Sequence, residues 1–234
     1  MTDRGRGALE QSPDHMRMGP STLEWRDGAL TVHVDERTWP HMTRMRGTIT
    51  LTPEFVTDVE LPLSPDGAHV WRPFAPRARA TVALGPHGEW EGHAYLDGNF
   101  GTRALEDDFL YWAWGRFPDG DGSLVVYDTE RLDGSRLDFS ARFGAGGEAT
   151  VVPVPPRVSL PRSKWALRRD AWADPGHRPR ETRAMLGAPF YNRAAIETVI
   201  AGRRVEGVHE ALDLRRFRQP LMKPLLAMRV PRRP

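Results

Sequence analysis

A chain of 234 residues, 39% hydrophobic and 27% charged, is long enough for one large all-β unit or two smaller ones and falls in the globular range. A net charge of +2 gives no electrostatic argument for nucleic acid, and the absence of cysteine excludes disulfides, thiolate metal sites and a cysteine nucleophile while fitting a reducing cytoplasm. Frequent Pro and Gly (21 and 22) disfavour long helices, no run of about 18 apolar residues offers a membrane span, and MTDRGRGALEQS lacks the apolar core of a signal peptide.

Alternation with a period of two recurs along the chain, the mark of strands with one buried face. Leu30, Val32 and Val34 alternate with Thr31, His33 and Asp35. Met45, Gly47, Ile49 and Leu51 alternate with Arg46, Thr48, Thr50 and Thr52, and Ala78, Ala80, Val82 and Leu84 with Arg77, Arg79 and Thr81. Further predicted strands are Leu124–Glu130, Arg136–Arg142, Ser163–Arg169, Ile196–Ile200, Val205–Leu212 and Leu225–Val230. Between them stand Asp27-Gly28, Asp66-Gly67, His87-Gly88, Asp119-Gly120, Asp133-Gly134 and Gly146-Gly147, which supply the positive φ of tight hairpins. Helical signal is confined to Leu105–Phe109 and Asp213–Arg218. Such a pattern indicates an antiparallel sandwich or barrel. Four prolines in Val151–Pro161 cannot sit in a central strand, so a boundary is expected there, dividing 1–152 from a smaller second β unit, 153–234.

The chemistry is concentrated between Trp90 and Phe117. On a strand, Trp90, Gly92, Ala94 and Leu96 share a face that can pack on a core. Glu91, His93, Tyr95 and Asp97 share the other, about 6.6 Å between alternate positions. Facing a pocket, that row is an acid–base site; facing water, it is a solvated face. Asp97-Gly98 also reads as a type I′ turn, and Glu106, Asp107 and Asp108 as a capping or solvated cluster. His69 and Trp71 share a face two residues apart beside a Pro-rich bend, where a Trp is usually core. FGAGGE (Phe143–Glu148) reads as a hairpin tip rather than a phosphate loop, and neither a zinc-spaced His pair nor a GxSxG elbow is present.

The string GHAYLDGNFGTRALEDDF, followed by YWAWGRF and VVYDTERLDGS, resembles the carotenoid 1,2-hydratase (hydroxyneurosporene synthase) family. So do MTDRGRGAL, DGAHVWRPFAPRARATV, APFYNRAAIET, GVHEALDLRRF and MRVPRRP, in order along essentially the whole chain. The resemblance implies an all-β fold of two lipocalin-like antiparallel units. It implies cofactor-independent addition of water to the terminal 1,2 double bond of acyclic carotenoids such as neurosporene and lycopene, giving a tertiary alcohol, on a route used by purple bacteria. By matching motif it places the proton donor on Asp97, with Tyr95, His69 and Trp71 in support. Family members usually begin with a leading segment before the part that matches Met1, so the first unit is expected to lack its opening strands, and Gly98 stands where relatives often carry a larger residue.

Protonating an alkene needs a neutral acid held in an apolar site, and the resulting cation needs an aromatic face, worth roughly 0.5–2 kcal/mol. Trp112, Trp114 and His93 are added here as candidate substrate-binding residues. No metal is expected. Carotenoids reside in the bilayer, so peripheral contact on the cytoplasmic side is expected, through the basic and apolar C-terminal stretch from Leu212 onward. Two other readings stay open: a lipocalin-like protein that only binds a hydrophobic ligand, and a glycoside-processing jelly roll using Asp97 and Glu106.

Overall fold

The computed structural model describes residues 5–38 and 41–222. Its strands in chain order are β1 (Leu9–Gln11), β2 (His15–Met18), β3 (Ser21–Arg26), β4 (Ala29–Thr38), β5 (Thr43–Pro53), β6 (Leu61–Pro62), β7 (His69–Ala83), β8 (Glu89–Gly101) and β9 (Phe109–Asp119). They continue with β10 (Gly122–Arg131), β11 (Arg136–Phe143), β12 (Ala149–Val152), β13 (Arg157–Leu160), β14 (Arg169–Trp172), β15 (Arg180–Gly187), β16 (Tyr191–Ile200) and β17 (Arg203–Asp213). One short helix, α1 (Leu214–Phe217), follows, its first turn capped by the Asp213 carboxylate accepting from the Arg216 amide. The all-β expectation holds, with open antiparallel sheets rather than closed barrels among the described residues.

The described residues fall into two compact units, one of 5–56 and 75–96, the other of 57–74 and 97–222. Strands β7 and β8 are shared: residues 69–74 and 97–101 belong to the second unit.

The first unit follows the alternation closely. Strands β1 to β5 and the later part of β7 neighbour one another in sequence order. Asp27 and Gly28 both take positive φ (52° and 75°) between the paired Arg26 and Ala29, the two-residue hairpin their identities call for. At Gly47 an added Cβ would lie 2.0 Å from the Ala83 carbonyl oxygen, so glycine is needed where β5 leaves β7. Leu51, Ala75, Ala78, Val82 and Leu84 are buried here. Trp90, expected on an apolar face, is exposed.

The second unit is built on a seven-stranded sheet of order β12-β11-β10-β9-β17-β16-β15. That order overturns the boundary expected at 152/153. Strands from both sides of the Pro-rich segment belong to one sheet, because β9 pairs with β10 on one side and, on the other, with β17, where Val208 lies opposite Arg116, 92 residues earlier in the chain. The prolines instead carry the chain from edge strand β12 to the separate β13–β14 hairpin. Strand β14 lies within the predicted Ser163–Arg169 region only at Arg169; residues 163–168 are irregular. Gly98 lies inside β8 without positive φ, so Asp97-Gly98 is not a turn. The predicted strand Leu225–Val230 lies outside the described residues.

One face of this sheet is a dry core. Tyr111, Ala113, Phe117, Leu124, Val126, Ala194, Ile196 and Ala211 point to it and meet Leu160, Leu167, Ala171 and Trp172 from the β13–β14 layer. Each large side chain so buried contributes roughly 1.5–3 kcal/mol. His209 of β17 faces the same way, fully buried. Its Nε2–H donates to the Asp170 carbonyl at 2.7 Å, and its Nδ1 has no partner among the described residues. Burial, the larger cause, pushes the imidazole down to about 4 from its ordinary 6.5.

This buried imidazole makes stability pH-dependent. Between about 6.5 and about 4 the unfolded chain binds a proton that the folded chain does not. The contribution is therefore complete above about 6.5 and falls as acidity increases to about 4, by about 3 kcal/mol in all. His209→Gln keeps a donor for Asp170 but does not titrate. We expect denaturant unfolding of this variant to show a shallower loss of stability across that window; an unchanged slope would refute the assignment.

Candidate active site

Paired residues of adjacent strands point to the same sheet face. Opposite the dry core, Arg193 of β16 pairs with Glu210 of β17, Glu210 with Trp114 of β9, Trp114 with Tyr127 of β10, and Tyr127 with Phe139 of β11. One pleat along, Tyr191 pairs with Leu212 and Leu212 with Trp112. This second face is thus aromatic with a charged margin.

Trp71 of β7 is fully buried against it, 5.2 Å from the Tyr127 ring and 5.7 Å from Phe139, which itself stacks on Tyr127 at 5.3 Å. Trp112 closes on Tyr127 at 5.8 Å and Phe109 on Trp112 at 6.5 Å. The Trp112 indole N–H is buried with no partner among the described residues, a donor available to a water or a hydroxyl. Offset and tilted rings at these separations present negative faces and positive edges in alternation.

The Trp71 indole N–H donates to Asp97 Oδ2 at 2.7 Å. This bond fixes the half-buried carboxyl at the rim of the ring cluster. Tyr127 donates to Asn99 Oδ1 at 3.2 Å, anchoring the next outward residue of β8 to the same cluster. Burial pushes the Tyr127 phenol well above its usual value, and the Asp97 and Glu210 charges add to the effect, so Tyr127 stays a neutral donor.

His69, two residues before Trp71, is also buried. Its Nε2–H donates to Asp108 Oδ2 at 2.5 Å, and the Phe109 ring meets it edge-on at 5.1 Å. Its amide donates to Ser64 Oγ at 3.1 Å. Arg103 grips Asp108 with two bonds, 2.6 and 3.0 Å, and reaches Asp66 at 2.6 Å. The Arg103 guanidinium is the main reason the Asp108 carboxyl lies below its ordinary value, with His69 adding to it. Gly101 is required for this approach: a Cβ would lie 2.5 Å from the Ala68 oxygen and 2.8 Å from His69 Nδ1. His69 is therefore held in a salt-bridged mount rather than left open to a substrate.

Of the residues proposed from sequence, His69, Trp71, Asp97, Trp112 and Trp114 all belong to the second unit, and Trp71 and Asp97 touch. Tyr95 and His93 lie on the part of β8 that belongs to the first unit, Tyr95 half-buried and His93 exposed. Asp108, read as a solvated or capping residue, is instead the partner of His69. Tyr127, Tyr191 and Glu210 were not singled out at all. The β9–β10 hairpin brings Tyr127 to this face, while Glu210 and Tyr191 reach it through the β9–β17 and β16–β17 registers, and the β9–β17 pairing is far from local in sequence.

Comparison with known proteins agrees with this architecture. The solved structure described as CghA with Sch210972 superimposes with a TM-score of 0.52, covering 87% of this chain and 72% of that one at 13% identity, a likeness of fold alone. The acyclic carotenoid 1,2-hydratases of Cereibacter sphaeroides and Rhodobacter capsulatus are 52% and 48% identical, each match covering all of this chain and 84% of the relative. That of Thiocapsa roseopersicina is 41% identical over 99% of this chain and 58% of its own length. The profile of the family described as carotenoid hydratase CrtC matches residues 1–234. The chain belongs to the carotenoid hydratase family.

Proposed function

We propose that this protein adds water, without a cofactor, to the terminal 1,2 double bond of acyclic carotenoids such as neurosporene and lycopene, with Asp97 as the proton donor. Membership of the family makes the chain a hydro-lyase acting on acyclic carotenoids. The observation that carries the finer reading is the Asp97 carboxyl, held by the Trp71 N–H beside the Tyr127–Phe139 rings.

Asp97 in its neutral form delivers a proton to C2, and positive charge develops on C1, the more substituted carbon. Trp71, Tyr127 and Trp112 offer ring faces that stabilise a cation by roughly 0.5–2 kcal/mol without forming a bond to it. Water adds to C1 and loses a proton, giving the tertiary alcohol. Trp71 aims the donor. His69 is a positioning residue: its mount on Asp108 and Arg103 fixes the start of the strand that carries Trp71. Tyr95 keeps the supporting part given by the family resemblance, and Trp114 and His93 remain proposed contacts for the substrate chain.

Two variants test the donor. Asp97→Asn keeps size but has no proton to transfer, and removal of general acid help costs about 10²–10⁴-fold. Hydration of lycopene in D₂O should place one deuterium on C2 of the product with the unaltered protein and give almost no product with the variant. Equal turnover, or product without deuterium at C2, would remove Asp97 from the mechanism. Retention of unchanged carotenoid by the unaltered protein would favour a binding protein.

Trp71 separates aiming from packing. Replacement by Ala would empty a fully buried site at a cost of about 3–5 kcal/mol, so Phe is the informative change. Trp71→Phe keeps a ring but deletes the N–H bonded to Asp97. The expected result is a folded protein whose kcat falls at least tenfold with KM little changed; an unchanged kcat would show that the bond does not aim the donor.

No helix among the described residues is long and apolar enough to cross a membrane. We place the protein peripherally on the cytoplasmic membrane surface, where a bilayer-dissolved substrate is met. Arg215 is paired with Glu130 yet exposed, and Arg218 is exposed. Arg216 donates to the Trp165, Ala166 and Pro189 carbonyls and so belongs to the fold. Lys223 and the rest of the C-terminal stretch lie outside the described residues. At about 1 kcal/mol per basic residue, replacing Arg215, Arg218 and Lys223 with Gln should weaken binding to anionic liposomes by tenfold or more. Equal binding to neutral and anionic liposomes at low and high salt would dismiss this electrostatic attachment.

A further inference from the structure

Hydration needs a base as well as an acid, and the ring-bearing face carries a second carboxyl. Glu210 sits in the middle of β17, opposite Trp114 on one side and Arg193 on the other. Its side chain is 18% exposed, and the Arg193 guanidinium Nε lies 3.1 Å from its Oε1. Tyr191, two residues before Arg193, shares the face, and its phenol acts on Glu210 to lower the carboxyl. From β10 comes Tyr127 and from β8 comes Asp97, whose charge acts on both Glu210 and Tyr127.

These neighbours pull in opposite directions. Burial, the largest cause, raises the Glu210 carboxyl, and Asp97 adds to the rise, while Arg193 and Tyr191 oppose it. Two carboxyls that repel each other in a partly dry site favour holding one proton between them. One is then an acid while the other is a base. A carboxylate steadied by Arg193 and Tyr191 suits the second part. Asp97, fixed at the rim of the ring cluster where the alkene would be protonated, suits the first by its position.

We propose that Glu210 is the general base of the hydration, accepting the proton that the attacking water loses. The inference rests on the hydratase reading given above. The Asp97 O–H bond breaks as the C2–H bond forms, and the C1=C2 pair supplies the electrons. A water oxygen bonds to C1, and its O–H bond breaks toward a Glu210 oxygen. Alkene and water become alcohol, and the proton gained by Glu210 returns to Asp97 through solvent to restore the pair. The Trp112 N–H on the same face is a donor for the incoming water.

The test separates the two proton transfers. Glu210→Gln preserves size and shape but cannot take up the proton. The variant, checked for folding by circular dichroism and thermal unfolding, is incubated with lycopene in D₂O, and both product and recovered lycopene are analysed by mass spectrometry. Hydration should fall about 10²-fold or more. Recovered lycopene should nevertheless gain deuterium at C2, because Asp97 still protonates the alkene and takes a proton back; Asp97→Asn should show neither. Unchanged hydration would overturn the proposal. Loss of both hydration and exchange would also overturn it, making Glu210 a positioning residue for Asp97. If the Gln variant does not fold, Glu210→Asp carries the test: a base withdrawn by one methylene should slow hydration at least tenfold with exchange retained, and unchanged hydration again overturns the role. Failure of the unaltered protein to hydrate lycopene would instead overturn the activity on which the inference rests.

Discussion

One N–H···O bond, from Trp71 to Asp97, ties β8 to the ring-bearing face of the second unit. It joins positions 26 residues apart on different strands. A half-buried carboxyl left without a partner would either turn to water or cost several kcal/mol to keep in place. The indole supplies a donor and a ring at once. The donor meets the carboxyl, and the ring meets Tyr127 and Phe139. Everything around Trp71 keeps it from moving: it has no exposed surface, and two residues away His69 is clamped by Asp108 and Arg103. The polar network is thus placed at the mount, and the apolar rings beside the Asp97 carboxyl.

The same sheet serves two opposite purposes because a strand turns successive side chains to opposite faces. His209 and Glu210 are neighbours in sequence, yet one enters the dry core with Trp172 and the other joins Trp114 and Tyr127. Burial acts on both through the same cost of charging in a low-dielectric site. It pushes the imidazole down and the carboxyl up, so each is driven toward its neutral form. On the core face that neutrality protects packing. On the other face it acts on a carboxyl for which Arg193 and Tyr191 offset part of the penalty. A one-residue slip in the β9–β17 register would exchange the two environments, which is why so many cross-strand pairs hold that register.

Salt bridges follow the same division. The Arg103 link joins Asp66 and Asp108 around His69 at a partly exposed edge. Asp128, nearly buried in β10, takes Arg136 from β11 and Arg157 from β13, tying the second layer to the sheet. Neither pair adds much where water screens it. Their use is geometric: each fixes an otherwise loose connection beside the element that carries a functional or core side chain.

The strands and their turns were legible in the residues themselves. Alternation such as Leu30–Thr31–Val32 and pairs such as Asp27-Gly28 are local, and backbone sterics tie them directly to strand and hairpin. The order of motifs around Asp97 and Trp71 likewise carried the family and its candidate residues, since a motif is a property of sequence. Which strands lie side by side is not local. The prolines of Val151–Pro161 read as a boundary, but strand pairing across β9 and β17 placed both flanks in one sheet. Asp108 read as a solvated charge until the fold set it against His69, and Glu210 carried no signal of its own until β17 met β9. Charge, burial and neighbours of a side chain are fixed by contacts between distant segments, and those contacts exist only once the chain has folded.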